Sequence, residues 1–208
     1  MVNNLTMIDF TRFFIPIYFI LFFLVSFLGI SIVVAKKIGK NPNVLPKDDS
    51  AYALVGWYFK LLLAVLWIYT MLPLLFSEVR DYCKIHFLDS DLCRYIGIGL
   101  MVFAFIGVFI AQVQMRDSWR IGIDECTKTE LITTGLFQFS RNPIFLGMTL
   151  SLAGFFFTFP TVITFFLFII GNILIQIQIR LEEEHLLRQH GSVYLAYKKR
   201  VGRMLRLY

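Results

Sequence analysis

Charge, histidine, cysteine and proline are all scarce in this chain. Only 16% of its 208 residues are charged, and it holds three histidines, three cysteines and six prolines. So little charge cannot cover a water-soluble globule of this size, because 58% of the residues are apolar, 23 of them Phe, against about 45–50% in an ordinary soluble domain. Surface-to-volume scaling leaves too many of them outside. Soluble, disordered and disulfide-scaffold classes are excluded. The histidines (His86, His185, His190) are scattered and no cysteine pair has metal-ligand spacing, so no metal site is expected. There is no repeat, no low-complexity linker and no GxGxxG following a strand pattern. The net charge of +6 is not arranged as a basic stripe interleaved with exposed aromatics. It reads as membrane-surface charge attracted to anionic lipid, with no nucleic-acid partner.

What is present is a set of long apolar runs. About 20 apolar residues in a helix span ~30 Å of hydrocarbon. Residues 13–34, 52–76 and 95–115 each meet that length. Residues 144–179 are too long for one crossing, and Pro160 near their middle lacks the N–H that would continue a helix. The pattern predicts an all-α, polytopic membrane protein of five transmembrane helices, with a C-terminal helical hairpin and a cytosolic helical tail. Residues 1–114 carry three spans with their loops, and 115–208 carry the remaining core. The first run exceeds the 7–15 residues of a signal peptide's apolar core and precedes no small-residue cleavage site, so it is expected to stay.

Basic residues orient the chain. Lys36, Lys37, Lys40 and Lys47 follow span one; Arg116, Arg120, Lys128 and Arg141 follow span three. Arg180, Arg188, Lys198, Lys199, Arg200, Arg203 and Arg206 lie at the end of span five and in the tail. The opposite side has only Arg12, Arg80, Lys84 and Arg94. The expectation is an integral membrane protein with its N-terminus outside and its C-terminus in the cytosol. The membrane is the inner membrane if the cell is bacterial and the endoplasmic reticulum if it is eukaryotic. Lys60, within span two, reads as a snorkelling lysine more than as a cavity lining. Cys83 and Cys93 share an outer loop, where a disulfide and two free thiols fit equally; Cys126 is on the cytosolic side.

Polar residues that could do chemistry gather after span three. In Ser140-Arg141-Asn142-Pro143, proline suits the first helical position and Asn142 the N-cap. The helix end and the Arg141 guanidinium would suit an anion, although plain capping explains the same residues. Gly147, Ser151, Gly154 and Thr158 form a small-residue face for close helix packing. Span five ends in Glu182, Glu183 and Glu184. Glu184 has Arg180 and Arg188 four residues away on either side. Glu182 and Glu183 have no cation at that spacing, and a carboxylate against apolar neighbours is costly unless something cationic binds it. A bound ammonium or sulfonium and a solvated acidic face both fit. Tyr194 and Tyr197, beside Lys198, Lys199 and Arg200, read as an amphipathic attachment to the inner leaflet.

Together, Gly135-Leu136-Phe137, Arg141-Asn142-Pro143-Ile144-Phe145, the hairpin broken at Pro160, Glu182-Glu183 and Gly191-Ser192-Val193-Tyr194-Leu195-Ala196-Tyr197 resemble the isoprenylcysteine carboxyl methyltransferase and phospholipid methyltransferase superfamily. Ser118-Trp119-Arg120-Ile121-Gly122-Ile123 is similar to a stretch found in bacterial members. The resemblance implies a membrane methyltransferase that binds S-adenosylmethionine between the cytosolic ends of the last spans. Thr129, Glu130, Leu131, Ile132 and Phe137 would line the cofactor. Asn142, Pro143, Ile144 and Phe145 would hold its adenosine and amino-acid parts, and Glu182, with Glu183, its ammonium.

Glu183, able to take the proton of an amine acceptor, and Arg141 are the expected catalytic groups. Gln178 and Arg180 are the expected substrate contacts. The sequence departs from the family pattern at Thr129 and Asn142, which stand for histidines, and at Phe137 and Phe145, which stand for tyrosines. Gln178 replaces the arginine of carboxyl methyltransferases, which argues against a prenylcysteine carboxylate. The expected reaction moves a methyl group in line onto a carboxylate, amine or thiol of a lipophilic acceptor arriving from the bilayer. Two alternatives are a non-catalytic membrane protein retaining the fold and a sterol-reductase-like oxidoreductase.

Overall fold

The computed structural model describes residues 2–45, 48–122 and 129–205, with side chains from residue 7 onward. Lys47, Cys126, Lys128 and Arg206, used above, lie outside the described residues. Helix α1 (Val2–Phe23) runs through a π-helical turn (Leu24–Gly29) into α2 (Ile30–Ile38), and α3 covers Ala51–Leu75. Helices α4 (Asp91–Met115), α5 (Pro143–Thr158), α6 (Val162–His190) and α7 (Ser192–Arg200) follow, with no strand among the described residues.

Local chemistry sets the helix limits. Ser50 and Ser90 cap α3 and α4 by accepting hydrogen bonds from the Ala53 and Cys93 amides. Their hydroxyls satisfy N–H groups that the first helical turn leaves without partners. Pro143 starts α5 at the position where its missing N–H costs nothing. The expected break at Pro160 is present: α5 ends at Thr158, and Thr161 with Thr164 forms a reciprocal capping box that opens α6. Backbone bonds from Ile85 N–H to Pro160 O (2.9 Å) and from Val162 N–H to Cys83 O (2.8 Å) tie the turn to the loop before α4.

Among the described residues, four helical stretches are long and apolar enough to cross a membrane: Met7–Ile38, Ala51–Leu75, Asp91–Ser118 and Val162–His190. The fifth expected crossing, α5, has 16 residues and is roughly 24 Å long at 1.5 Å per residue. It is shorter than the hydrocarbon core, so length alone supports four crossings and one short apolar helix. Large apolar side chains such as Ile32, Val33, Ile68 and Phe103 are more than half exposed on the helix flanks, as a chain solvated by lipid requires. Lys60 also lies on an exposed flank rather than in the interior. Cys83 and Cys93 are free thiols.

The small-residue face of α5 packs antiparallel on α4. A Cβ built on Gly154 would lie 2.7 Å from Gly97 O, one on Gly97 2.6 Å from Gly154 O, and one on Gly147 2.3 Å from the Val108 side chain. Only glycine lets the two backbones approach this closely, and in lipid such van der Waals contact is the main source of helix association. Around this pair sits a core from α1 (Ile15, Tyr18, Phe19, Phe22), α3 (Leu62, Leu66, Tyr69) and α6 (Leu167, Leu174, Ile175, Ile179). Tyr18 spends its buried hydroxyl within that core, bonding Met101 O at 2.9 Å and Ser151 Oγ at 2.6 Å. The bundle therefore has a turn end, with Pro160, and a tail end, where α6 runs on into α7.

Candidate functional site

At the tail end, Glu183 projects from α6 toward the segment that leads into α5. Its side chain is 5% exposed, and Arg141 closes on it with Nε and Nη2 at 3.0 and 2.7 Å from Oε1. Arg203, from the chain beyond α7, holds Oε2 with Nε and Nη2 at 3.0 and 2.9 Å. Asn142 Nδ2 reaches Oε1 at 3.5 Å and donates to Arg203 O at 2.9 Å. Planar guanidinium forks match a carboxylate in this way and fix its orientation. The expectation that Glu183 has no cation of its own is therefore corrected. Its partners lie 42 and 20 residues away, beyond the reach of helical spacing.

Asn142 occupies the N-cap position of α5 but makes no side-chain cap bond. Its amide is used instead to bridge Glu183 and the tail, while its own backbone N–H donates to Ser140 Oγ at 3.1 Å. The anion expected beside Arg141 and the start of α5 is thus supplied by the protein itself. Arg141 also sews the tail down: its backbone N–H donates to Gly202 O at 3.0 Å, and its Nη1 to Lys198 O at 3.2 Å and to Val201 O. A carboxylate with both oxygens held by guanidinium donors has little basicity left for a substrate proton. This geometry weighs against Glu183 as the proton acceptor.

Tyr194 and Tyr197 turn inward. They are 1% and 3% exposed, and their rings meet edge to face at 6.2 Å. The Tyr197 hydroxyl donates to Phe137 O at 2.6 Å, which places buried Phe137 against α7. Burial pushes this hydroxyl up to about 12, against the pull of the Arg141 and Arg200 guanidiniums, so it stays a neutral donor. The reading of these tyrosines as a membrane-surface anchor is corrected: they pack on the protein. The outward face of α7 carries Val193, Leu195, Lys198 and Lys199.

Glu182 has different surroundings. It lies one residue, ~100°, around α6 and is half-buried. Gln178 Nε2 donates to its Oε1 at 3.0 Å and also contacts the Tyr52 hydroxyl of α3 at 3.2 Å. Among the described residues no cation pairs with it. Gly122 packs beside Tyr52: an added Cβ there would come 3.1 Å from that hydroxyl. Ile121, just before it, pairs with the chain after α2 through Val44 N–H to Ile121 O (2.9 Å) and Ile121 N–H to Pro42 O (3.0 Å).

The other expected site residues divide between these two faces and the core. Pro143 is buried, and Ile144 and Phe145 pack against the hydrophobic core. Thr129 Oγ1 touches Gln189 Oε1 at 3.5 Å near the end of α6, Glu130 is exposed, and Leu131 and Ile132 are half-buried. Gln178 is buried, whereas Arg180 is exposed on another face and bonds Gln176 O at 2.6 Å, so the two do not converge. Glu184 pairs with Arg188 at 2.8 Å, as the helical spacing predicts.

Sequence reasoning missed Arg203 and Tyr52 as parts of this end. Arg203 was legible only as one more basic residue of the tail. Tyr52 stands at the start of a span, where nothing in the sequence distinguishes it from an interfacial tyrosine. Gln114 was also missed: its Oε1 accepts from Leu136 N–H at 2.9 Å and holds the turn before Phe137 to the end of α4.

No curated protein matches the chain. A family comparison does. The match begins with α4, runs through the close-packed α4–α5 pair, and ends just after the Glu182-Glu183 stretch of α6. Over residues 92–192, just under half of its length, the chain matches the model of the phospholipid methyltransferase family.

Proposed function

We propose that the protein is an S-adenosylmethionine-dependent methyltransferase of the membrane, acting on a lipophilic carboxylate, amine or thiol that arrives from the bilayer. The family match over residues 92–192 carries this reading. The residues present fit the donor's amino-acid end. Glu182 is a half-buried carboxylate whose one described donor is the neutral amide of Gln178, and such a group is stabilised by a bound ammonium. When bound, the cofactor would supply an electrophilic methyl group on a sulfonium.

In this reading the chain's own residues bind, orient and exclude water. Glu182, backed by Gln178 and Tyr52, takes the ammonium. Arg141, Asn142, Glu183 and Arg203 act as positioning residues that fasten the tail across the start of α5, with Phe137 held by Tyr197. Thr129 to Ile132 and Phe137 line the adenosine side. A carboxylate or thiolate acceptor needs no general base, and alignment with exclusion of water would do most of the work. With α5 counted as a short fifth crossing, the excess of basic residues at the tail end puts that end in the cytosol and the N-terminus outside.

The test is calorimetry of S-adenosylmethionine binding to the purified chain, beside incubation of membranes with methyl-labelled cofactor. Glu182→Gln should weaken binding at least tenfold while the protein remains folded, and label should enter lipid. Unchanged affinity in that variant would falsify the assignment of Glu182. Absence of binding by the unaltered protein would favour a non-catalytic role.

A further inference from the structure

A second polar site lies at the turn end of the bundle, far from Glu182. A cavity of about 230 Å³ opens there between the start of α1, the end of α3, the start of α4 and the α5–α6 turn. Four cations line it, namely Arg12, Arg80, Lys84 and Arg94. Two of them are satisfied by carboxylates. Arg94 bonds Asp91 at 2.7 Å and also Asp89, and Lys84 pairs with Asp89 as well.

Arg12 and Arg80 are not. Arg12 donates to Leu74 O at 2.8 Å, and Arg80 to Ile8 O at 2.9 Å and Thr11 Oγ1 at 3.0 Å, with its guanidinium 5.2 Å from the centre of the Phe159 ring. Every described partner of these two guanidiniums is neutral. Arg94 is 4% exposed, and both its Nε and that of Arg12 are buried without a hydrogen-bond partner. A buried cation with an unused donor, beside two more guanidiniums that no described carboxylate bonds, is costly unless an anion completes it. Burial lowers the Arg80 pKa, and the neighbouring Arg94 and Arg12 charges lower it further, against Asp89 and Asp81. Asp81 and Asp89 on the cavity wall pair with Lys84 and Arg94, and among the described residues neither pairs with Arg12 or Arg80.

We infer that this cavity binds a phosphate anion through Arg12, Arg80 and Arg94. Arg12 and Arg94 each offer an unused Nε–H and Arg80 a charge that no described carboxylate bonds, donors that phosphate oxygens accept, and the space admits one phosphate group. The rim favours a phospholipid as its source. Phe13 on α1, Leu75 at the end of α3 and Phe76 just after it lie within two residues of the lining Arg12 and Ser77, are each more than half exposed and would lie beside acyl chains while the headgroup sits among the arginines. Free phosphate has the same chemistry, and the experiment separates the two. This inference does not depend on methyl transfer at the other end of the molecule.

The test uses the full-length protein purified in a neutral detergent, with binding followed by thermal shift and calorimetry. The probes are dihexanoyl phosphatidylglycerol, dihexanoylglycerol (which lacks the phosphate) and inorganic phosphate. The phospholipid should bind saturably and less tightly as salt rises, and dihexanoylglycerol should not. Arg12→Gln and Arg80→Gln should weaken binding at least tenfold, and Arg12→Lys less. Asp9 is an exposed carboxylate on the cavity wall. Asp9→Asn should tighten binding severalfold, a gain that misfolding cannot mimic. Inorganic phosphate competing at equal affinity supports the site with free phosphate as its ligand; failure to compete supports it with a lipid headgroup. Equal binding of the two lipids, or affinity unmoved by both Arg12→Gln and Asp9→Asn, overturns the inference.

Discussion

Glu182 and Glu183 are adjacent on one helix, and their surroundings are opposite. Glu183 faces the start of α5 and is enclosed by Arg141 and Arg203, with Asn142 alongside. Glu182 faces α3, and among the described residues it meets only the amide of Gln178. One carboxylate is completed by the protein, and in the proposed function the other takes a ligand. A glutamate at a membrane boundary therefore does not announce its role by type or by its neighbours in sequence. The role follows from which face the rest of the chain covers with positive charge.

Breaking the closed side should give the largest effect. Glu183→Ala leaves the Arg141 guanidinium, 6% exposed, without its counter-charge, and loss of one partner of a buried pair costs about 3–5 kcal/mol. Thermal unfolding of the purified variant should show a much lower Tm or no cooperative transition. A Tm equal to that of the unaltered protein would mean that the cluster is not formed.

Arg203→Ala should cost less, about 1.5–3 kcal/mol, because Arg141 still neutralises the carboxylate and the Arg203 side chain is already one-third exposed. Combining Glu183→Gln with Arg203→Gln should give a loss smaller than the sum of the single losses. Strict additivity in that double-mutant cycle would contradict the contact. Tyr197→Phe removes only the bond to Phe137 O and should cost about 1 kcal/mol, read as a small drop in the midpoint of denaturation.

Glu182→Gln sharpens the contrast from the other side. With no ion pair to break, its unfolding midpoint should move by less than about 1 kcal/mol, while the affinity for S-adenosylmethionine falls at least tenfold. A variant that loses stability as severely as Glu183→Ala would erase the distinction between the two residues.

Much of the framework was legible beforehand. Pro160 broke the long apolar run where α5 and α6 separate, and Gly147, Gly154 and Thr158 marked the face that meets α4. Both are local statements about backbone and side-chain size. The candidate site was legible only in its membership: Arg141, Asn142, Glu182 and Glu183 do gather at one end. Their pairing was not legible, because helical spacing reports contacts four residues away, and Arg141 and Arg203 approach Glu183 from other segments. The shortness of the fifth apolar helix was not legible for a related reason. Residues 144–179 had apolar length to share, but the turn claims Phe159 to Thr161 and leaves α5 with 16 residues.

Membrane residence, helix limits and the glycine face follow from quantities that add along the chain, such as hydropathy, caps and the size of each side chain. No fold is needed to evaluate them. Which carboxylate is neutralised, which tyrosines are buried, and which arginines at the turn end pair with a described carboxylate depend on where segments far apart in sequence come to rest. Coulomb and hydrogen-bond energies fall off within a few ångströms of the donor, so those answers exist only once the path of the tail and the packing of the helices have set the distances.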